Sequence, residues 1–219
     1  MKNMLTVSLL IDSPRTWYAP YADTLAREIK ARGHTLTRVG SAETLPKGDV
    51  AFFLSCERII PAELLKRNAY NIVIHASAVP EGRGWSPMAW QILEGKSEIV
   101  VSMFEAAETV DSGDVYDRER VRFEGHELID ELRVKEAAAI QTLALRSLTL
   151  MENGDMRGET QTGEPTFYAR RKPNDSELDP ARSIAEQFDL LRVVDNERYP
   201  AFFTLHGHTY ILKIEKNKD

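Results

Sequence analysis

The chain has 219 residues, 42% of them hydrophobic and 28% charged, with a formal net charge of −6 and a single cysteine, Cys56. That length supports one sizeable core with a small appendage at most. No apolar run approaches the ~20 residues that span a bilayer, an acidic balance disfavours a large nucleic-acid footprint, and a lone cysteine excludes an internal disulfide and suits a reducing, cytoplasmic setting.

The N-terminus runs straight into a strand-like stretch, without the apolar segment and cleavage site of a secretory signal. Residues 5–11 form a β-branched, aliphatic run bounded by Asp12-Ser13-Pro14, the pattern of a strand buried on both faces. Pro20 suits a first helical turn, and Ala22, Leu25, Ala26 and Ile29 recur at helical spacing until Gly33 stops them. Residues 36–39, 49–54 and 72–74 read as further strands, with a helix opened by Pro61 between the last two. This alternation predicts an α/β fold with a doubly wound, mostly parallel sheet. Ligands of such sheets bind beyond the carboxyl ends of the strands. The loop of residues 55–60 and the residues from His75 onward therefore fall at the expected site. No GxGxxG follows the first strand and no P-loop is present, so neither dinucleotide nor nucleotide-triphosphate motifs are indicated.

Residues 99–104 are another strand, and 115–123 continue extended with polar alternation, as at a sheet edge. A long helix is predicted from about Glu127, with Leu128, Leu132, Ile140 and Leu143 apolar, ending near Asn153-Gly154. Residues 158–163 are polar and read as a mobile connection. Residues 180–193 are predicted as an amphipathic helix with Ile184, Phe188 and Leu191 inward. Residues 201–205 and 210–214 flank His206-Gly207-His208, a compact β-hairpin signal. An isolated hairpin is barely stable, so this one is expected to pack on the domain or on a second copy in a homodimer. The expected division is a core of residues 1–152 and a C-terminal extension of residues 153–219.

One stretch carries a more specific pattern. His75-Ala76-Ser77 is followed by Pro80, Arg83-Gly84, Pro87, Trp90 and Gly95, and then by the tight turn Asp111-Ser112-Gly113-Asp114. Together with Leu54-Ser55-Cys56-Glu57-Arg58-Ile59-Ile60-Pro61, in register, these resemble the N10-formyltetrahydrofolate-dependent formyltransferase family. Tyr168-Ala169-Arg170-Arg171-Lys172-Pro173 and the segment from Asp195-Asn196 to Phe203 resemble the branch that formylates amino groups of nucleotide-linked sugars. The resemblance covers most of the chain. It implies a Rossmann-like formyltransferase core, N10-formyltetrahydrofolate as the donor, and no metal. The acceptor it implies is a UDP- or dTDP-linked 4-amino-4,6-dideoxyhexose of a bacterial surface-glycan or nonulosonic-acid pathway, with no nucleic acid or membrane partner. Phosphoribosylglycinamide and methionyl-tRNA are the rival acceptors, and a non-catalytic folate-binding protein is the rival of another class.

The resemblance assigns catalysis to His75 and Asp111. Formyl transfer to an amine develops an oxyanion, and one preorganised donor there lowers the barrier by ~3 to 4 kcal/mol. A histidine can be that donor or can move the amine's proton, and an aspartate can fix its orientation. The family's third residue, an asparagine two positions before the histidine, is Val73 here, and valine has no hydrogen to donate. Asn71, on the same strand face and ~7 Å further along, is the candidate substitute; the alternative is a polar residue that merely begins the strand. The pterin is expected between Cys56, Arg58, Ile59 and Ile60 on one loop and Val110 and Asp111 on another. Ser77, Arg83, Gly84, Trp85, Arg170, Arg171, Asn196 and Tyr199 are the candidate acceptor contacts, with solvated charges and ordinary packing as the competing reading for the last four.

Overall fold

Because the first strand is apolar on both faces, it belongs inside the sheet. In the computed structural model, which describes residues 3–217, β1 (Thr6–Leu10) lies between β2 (Thr35–Val39) and β3 (Gly48–Phe53), parallel to both. Helix α1 (Ala19–Ala31) makes the first crossover, burying Ala22, Leu25, Ala26 and Ile29 as its spacing predicts. A single helical turn, α2 (Ala62–Leu65), leads to β4 (Asn68–His75), which pairs in parallel with β3. A two-residue strand β5 (Arg83–Gly84) and α3 (Pro87–Leu93) follow. Then β6 (Glu98–Glu105) returns antiparallel to β4, and β7 (Val115–Arg122) lies antiparallel to β6 at the edge. The strand order is β2-β1-β3-β4-β6-β7. The sheet is thus mostly parallel, with one reversal beside β4.

Helix α4 (Ile129–Asn153) covers one face of the sheet. Its Leu132, Ile140 and Leu143 join Val7, Leu9, Phe52, Ile72, Ile74 and Met103 in the main core. Each such side chain, once buried, contributes ~1.5–3 kcal/mol. The Glu131 carboxylate accepts the Leu128 N–H at 2.9 Å at the start of the helix, and Gly154, at φ 72, ends it in the left-handed conformation. On the other face Leu10, Ala51 and Phe53 pack with Leu45, Ile60 and Leu64.

The remaining chain contains β8 (Phe167–Tyr168), parallel to β5, the short α5 (Phe188–Val193), and the hairpin β9 (Ala201–Leu205) and β10 (His208–Leu212). His206 and Gly207 turn the hairpin with φ of 52 and 79, the pair of positive values that a two-residue type I′ turn needs. Two expectations need correction. The helix over 180–193 is confined to its last turns, and Ile184 is 68% exposed. Side chains capture the preceding backbone instead: Asp179 accepts the Ala181 N–H, and Glu186 accepts the Ser183 N–H, which favours turns over helix. The segment 158–163 is tied down. Glu159 exchanges both backbone hydrogen bonds with Val115, at 2.8 and 2.9 Å. No helix among the described residues is long and apolar enough to cross a membrane.

Candidate active site

His75 is the last residue of β4, at the carboxyl edge of the parallel strands. Its Nε2 lies 2.9 Å from the Gly82 carbonyl oxygen. A carbonyl only accepts, so this contact assigns the proton to Nε2. Asp111 Oδ2 is 3.7 Å from the same nitrogen and accepts the Gly84 N–H at 2.8 Å. The two side chains are 11% and 12% exposed. The structure therefore brings the histidine and the aspartate together, with the loop from Gly82 to Gly84 hydrogen-bonded to both. Nδ1 has no partner among the described residues. It is the nitrogen left for a ligand.

Asp111 is held in a left-handed conformation, φ 52, which a non-glycine residue adopts only when its surroundings enforce it. Two features do so. A Cβ at Gly113 would lie 1.8 Å from the Glu105 carbonyl oxygen, so only glycine lets the turn press against the end of β6. Gln161 then clamps the turn from outside, donating from Nε2 to the carbonyls of Asp111 and Gly113 at 2.9 and 2.8 Å. Its Oε1 accepts from Arg83 Nη2 at 2.6 Å. Gln161 thus positions the site from the segment that reads as a mobile connection. A lone glutamine among polar residues carries no sequence signal for that role.

The structure does not bring Asn71 to the histidine. The two share a face of β4, but four residues of strand separate them by ~13 Å. The Asn71 amide donates to the Leu65 carbonyl at 2.9 Å and to Glu105 Oε1 at 3.1 Å, and its backbone N–H also reaches Glu105. The Tyr116 hydroxyl adds a third donor to that carboxylate. Burial raises the Glu105 carboxyl above its ordinary range, and these hydrogen bonds oppose the rise. Between Asn71 and His75, Val73 packs against Phe104, Val79 and Val115.

His75 opens on a cavity of about 580 Å³. Its walls come from the loops after β1 and β3, from α3 and α4, and from the C-terminal segment. Of the candidate acceptor contacts, Gly84, Trp85, Arg170, Arg171 and Tyr199 line it. Arg170 lies over the Trp85 ring at 4.6 Å and pairs with Glu57 at 2.8 Å. Arg171 is more structural than expected, since it donates to the carbonyls of Val193 and Asp175. Three candidates stand outside the cavity. Ser77 is buried behind His75, Arg83 is engaged by Gln161, and both ends of the Asn196 amide bond the backbone of Ile214. Three cations outside the candidate acceptor contacts, Arg15 and the motif residues Lys172 and Arg198, line the cavity without an ion pair among the described residues.

Cys56 also lines the cavity, and burial pushes its thiol up to about 12, with the Asp12 charge adding to the rise. Its Sγ lies 3.4 Å from the Leu10 carbonyl oxygen, to which it donates. The neighbouring residues that were expected to hold a pterin lie beyond the cavity. Asp12 accepts the backbone N–H groups of Glu57 and Arg58, fixing that loop. Ile60 packs inward with half-buried Val73 and Ala106, whereas Ile59 and Val110 remain 66% and 37% exposed on the two loops. Ile59 and Val110 are thus apolar surface that each loop leaves exposed.

The sequence matches the Formyl transferase family over residues 16–144. A methionyl-tRNA formyltransferase from Sulfurihydrogenibium is 30% identical over 156 residues, covering 69% of this chain and 50% of that protein. The chain spans about half the length of the curated relatives it matches. HypX from Aquifex aeolicus, solved in complex with tetrahydrofolic acid, superposes with a TM-score of 0.81 at 18% identity over 97% of this chain and 38% of its own. A 4-N formyltransferase from Francisella tularensis gives 0.71 at 18% identity, with 99% of both chains covered. The structural likeness carries the fold, and the sequence match carries the kinship: the chain belongs to the formyl transferase family.

Proposed function

We propose that the chain is an N-formyltransferase that moves a formyl group from N10-formyltetrahydrofolate to the amine of a nucleotide-linked amino sugar, a UDP- or dTDP-4-amino-4,6-dideoxyhexose. The observation that carries this reading is the cavity beside His75. Its cations Arg15, Lys172 and Arg198, without an ion pair among the described residues, suit a diphosphate, and half-exposed Tyr199 offers a face to a sugar or base. The names of a tetrahydrofolate-bound neighbour and a 4-N formyltransferase of the same fold support it. When bound between the loops that carry Ile59 and Val110, the folate supplies an activated formyl group.

The chain's own residues do the rest. Gly82 and Asp111 fix the imidazole through Nε2, which leaves Nδ1 as the nitrogen free for the amine, on a residue that lines the cavity. There His75 accepts the amine's proton or, once protonated, donates to the oxygen on which charge develops. Val73 supplies no donor, so His75 acts without the asparagine that the family resemblance led us to expect.

A panel assay decides the acceptor. The protein is incubated with N10-formyltetrahydrofolate and, separately, with UDP- and dTDP-4-amino sugars, phosphoribosylglycinamide and methionyl-tRNA, and tetrahydrofolate release is followed. Turnover is expected with a nucleotide amino sugar. Release with methionyl-tRNA alone would favour the second reading, to which the names of the curated relatives point. Folate binding without turnover on any amine would remove the enzymatic reading.

A further inference from the structure

Formyl transfer needs a hydrogen-bond donor that neither Val73 nor Asn71 supplies. As the amine attacks, the electron pair of the formyl C=O moves onto oxygen and the amine's proton passes to His75. The C–N10 bond then breaks as the pair returns, and N10 takes the proton. While the oxygen carries charge, a donor held against it lowers the barrier. Val73 has no hydrogen to give, and Asn71 spends both of its amide hydrogens on Leu65 and Glu105. With His75 occupied by the amine's proton, the donor has to come from another part of the cavity wall.

Ser55 is placed to give it. Strands β3 and β4 run parallel and in register up to Phe53 and Val73. Leu54 keeps to the sheet, donating to the Leu10 carbonyl at 3.0 Å, and the same register carried two residues on sets Ser55 abreast of His75, at roughly the 5 Å spacing of neighbouring strands. Both residues line the cavity. The serine hydroxyl is only half satisfied. Thr16, 9% exposed, donates its hydroxyl to Ser55 Oγ at 2.5 Å. That contact fills a lone pair and leaves the serine's own hydrogen without an acceptor among the described residues.

The backbone is bent to keep the serine there. Ser55 stands at φ 53, in the left-handed region, which a non-glycine residue adopts only when its surroundings enforce it. Its neighbours do so. The Leu54 N–H and the Cys56 thiol both donate to the Leu10 carbonyl, and Asp12 takes the N–H groups of Glu57 and Arg58. The other non-glycine residues with positive φ, among the described residues, are Asp111 in the site, Ser86 on the cavity wall and His206 in the hairpin turn. Outside the hairpin, strained backbone gathers around His75. We propose that Ser55 is a catalytic residue whose hydroxyl donates to the formyl oxygen, and more strongly as charge develops there, in the role that the family resemblance gives to an asparagine at position 73. The inference rests on the formyl-transfer reading.

A serine that only shaped the turn would be replaced without loss by glycine, which adopts a positive φ freely. Ser55→Gly is therefore the deciding variant, compared with wild type and Ser55→Asn by steady-state kinetics on the acceptor panel, with thermal melts alongside. Ser55→Gly should melt no lower than wild type, lose ~100-fold in kcat, and leave KM for the amine within about threefold, since a donor that acts on developing charge adds little to ground-state binding. Asparagine tolerates the left-handed region and carries an amide donor, so Ser55→Asn should stay within about tenfold of wild type in kcat. A binding measurement reads the contact without turnover. Calorimetric titration with 10-formyl-5,8-dideazafolate and with 5,8-dideazafolate should show the formyl group improving wild-type affinity about fivefold, as one net hydrogen bond does, and leaving Ser55→Gly unimproved. A Ser55→Gly variant within threefold of wild type in kcat, a hundredfold loss in Ser55→Asn, or an equal formyl contribution in wild type and Ser55→Gly would each overturn the inference. Wild type that releases no tetrahydrofolate with any amine removes the formyl-transfer reading and this inference with it. An active wild type beside an equally active Ser55→Gly removes the inference alone.

Discussion

Asn71 and His75 lie on one face of one strand, and the protein uses them in opposite ways. Both amide hydrogens of Asn71 are engaged inside the fold, by Leu65 and by Glu105, and the residue is 4% exposed. His75 is satisfied at Nε2 only and opens at the strand end on a cavity. A polar group whose hydrogens are all engaged internally holds the fold together. One with a free valence at the carboxyl edge of a parallel sheet is available to a ligand. Position along β4, more than residue type, separates the two roles.

Acidic residues sharpen this contrast first. Glu127 is wholly partnered, so Glu127→Ala should destabilise the protein by ~1–3 kcal/mol, because the backbone N–H groups of Glu124 and Gly125 lose their acceptor and buried Arg192 keeps only Asp189 and the residue-127 carbonyl as partners; chemical denaturation measures this. Its carboxyl is lowered from 4.5 to about 2 on folding. The stability it contributes is therefore fully present above pH 4.5 and is lost as the pH falls toward 2. An unchanged acid-unfolding midpoint in the alanine variant would show that the pairing is idle. Asp111 has a single backbone donor and the histidine beside it, so Asp111→Asn should keep the fold. Its kcat should fall ~100-fold, because the imidazole loses its orienting charge. Steady-state kinetics beside a thermal melt separates the two effects.

Asn71→Ala is the sharpest attempt to break the comparison. Removing its amide takes one donor from the buried Glu105 carboxylate and should cost ~1–3 kcal/mol of stability, with kcat changed by less than ~3-fold relative to the wide losses of catalytic groups. A variant of undiminished stability and collapsed turnover would return Asn71 to the active site. The smallest effect is expected at Gln161. Gln161→Ala frees two carbonyls of the turn that carries Asp111. It should lower stability by ~0.5–1.5 kcal/mol and raise KM more than it lowers kcat, as the turn loosens.

Much of this was legible in the sequence where a local pattern decides the outcome. The apolar runs placed β1, β3 and β4, and the His-Gly turn placed the hairpin. The shared register from Leu54 to Asp114 paired His75 with Asp111 before any geometry was available. What was not legible depends on contacts between distant segments. Nothing local tells that β6 runs against β4, because a buried strand reads the same in either direction. The periodicity of 180–193 suggested a helix that side-chain captures by Asp179 and Glu186 prevent. Gln161 matters through a turn 48 to 50 residues away. Asn71 was plausible as a catalytic stand-in until its partners, Leu65 and Glu105, were visible.

We propose the end of β4 at His75 as the formyl-transfer centre, with Asn71 held apart from it by Leu65 and Glu105. Single-turnover release of tetrahydrofolate, measured with saturating N10-formyltetrahydrofolate and a UDP-4-amino sugar, tests it on wild type, His75→Ala and Asn71→Ala together. The expected result is a rate ~10²–10⁴-fold lower for His75→Ala in a fully folded protein, and a near-normal rate for Asn71→Ala. A near-normal rate in His75→Ala, or an equal loss in both variants, would contradict the account.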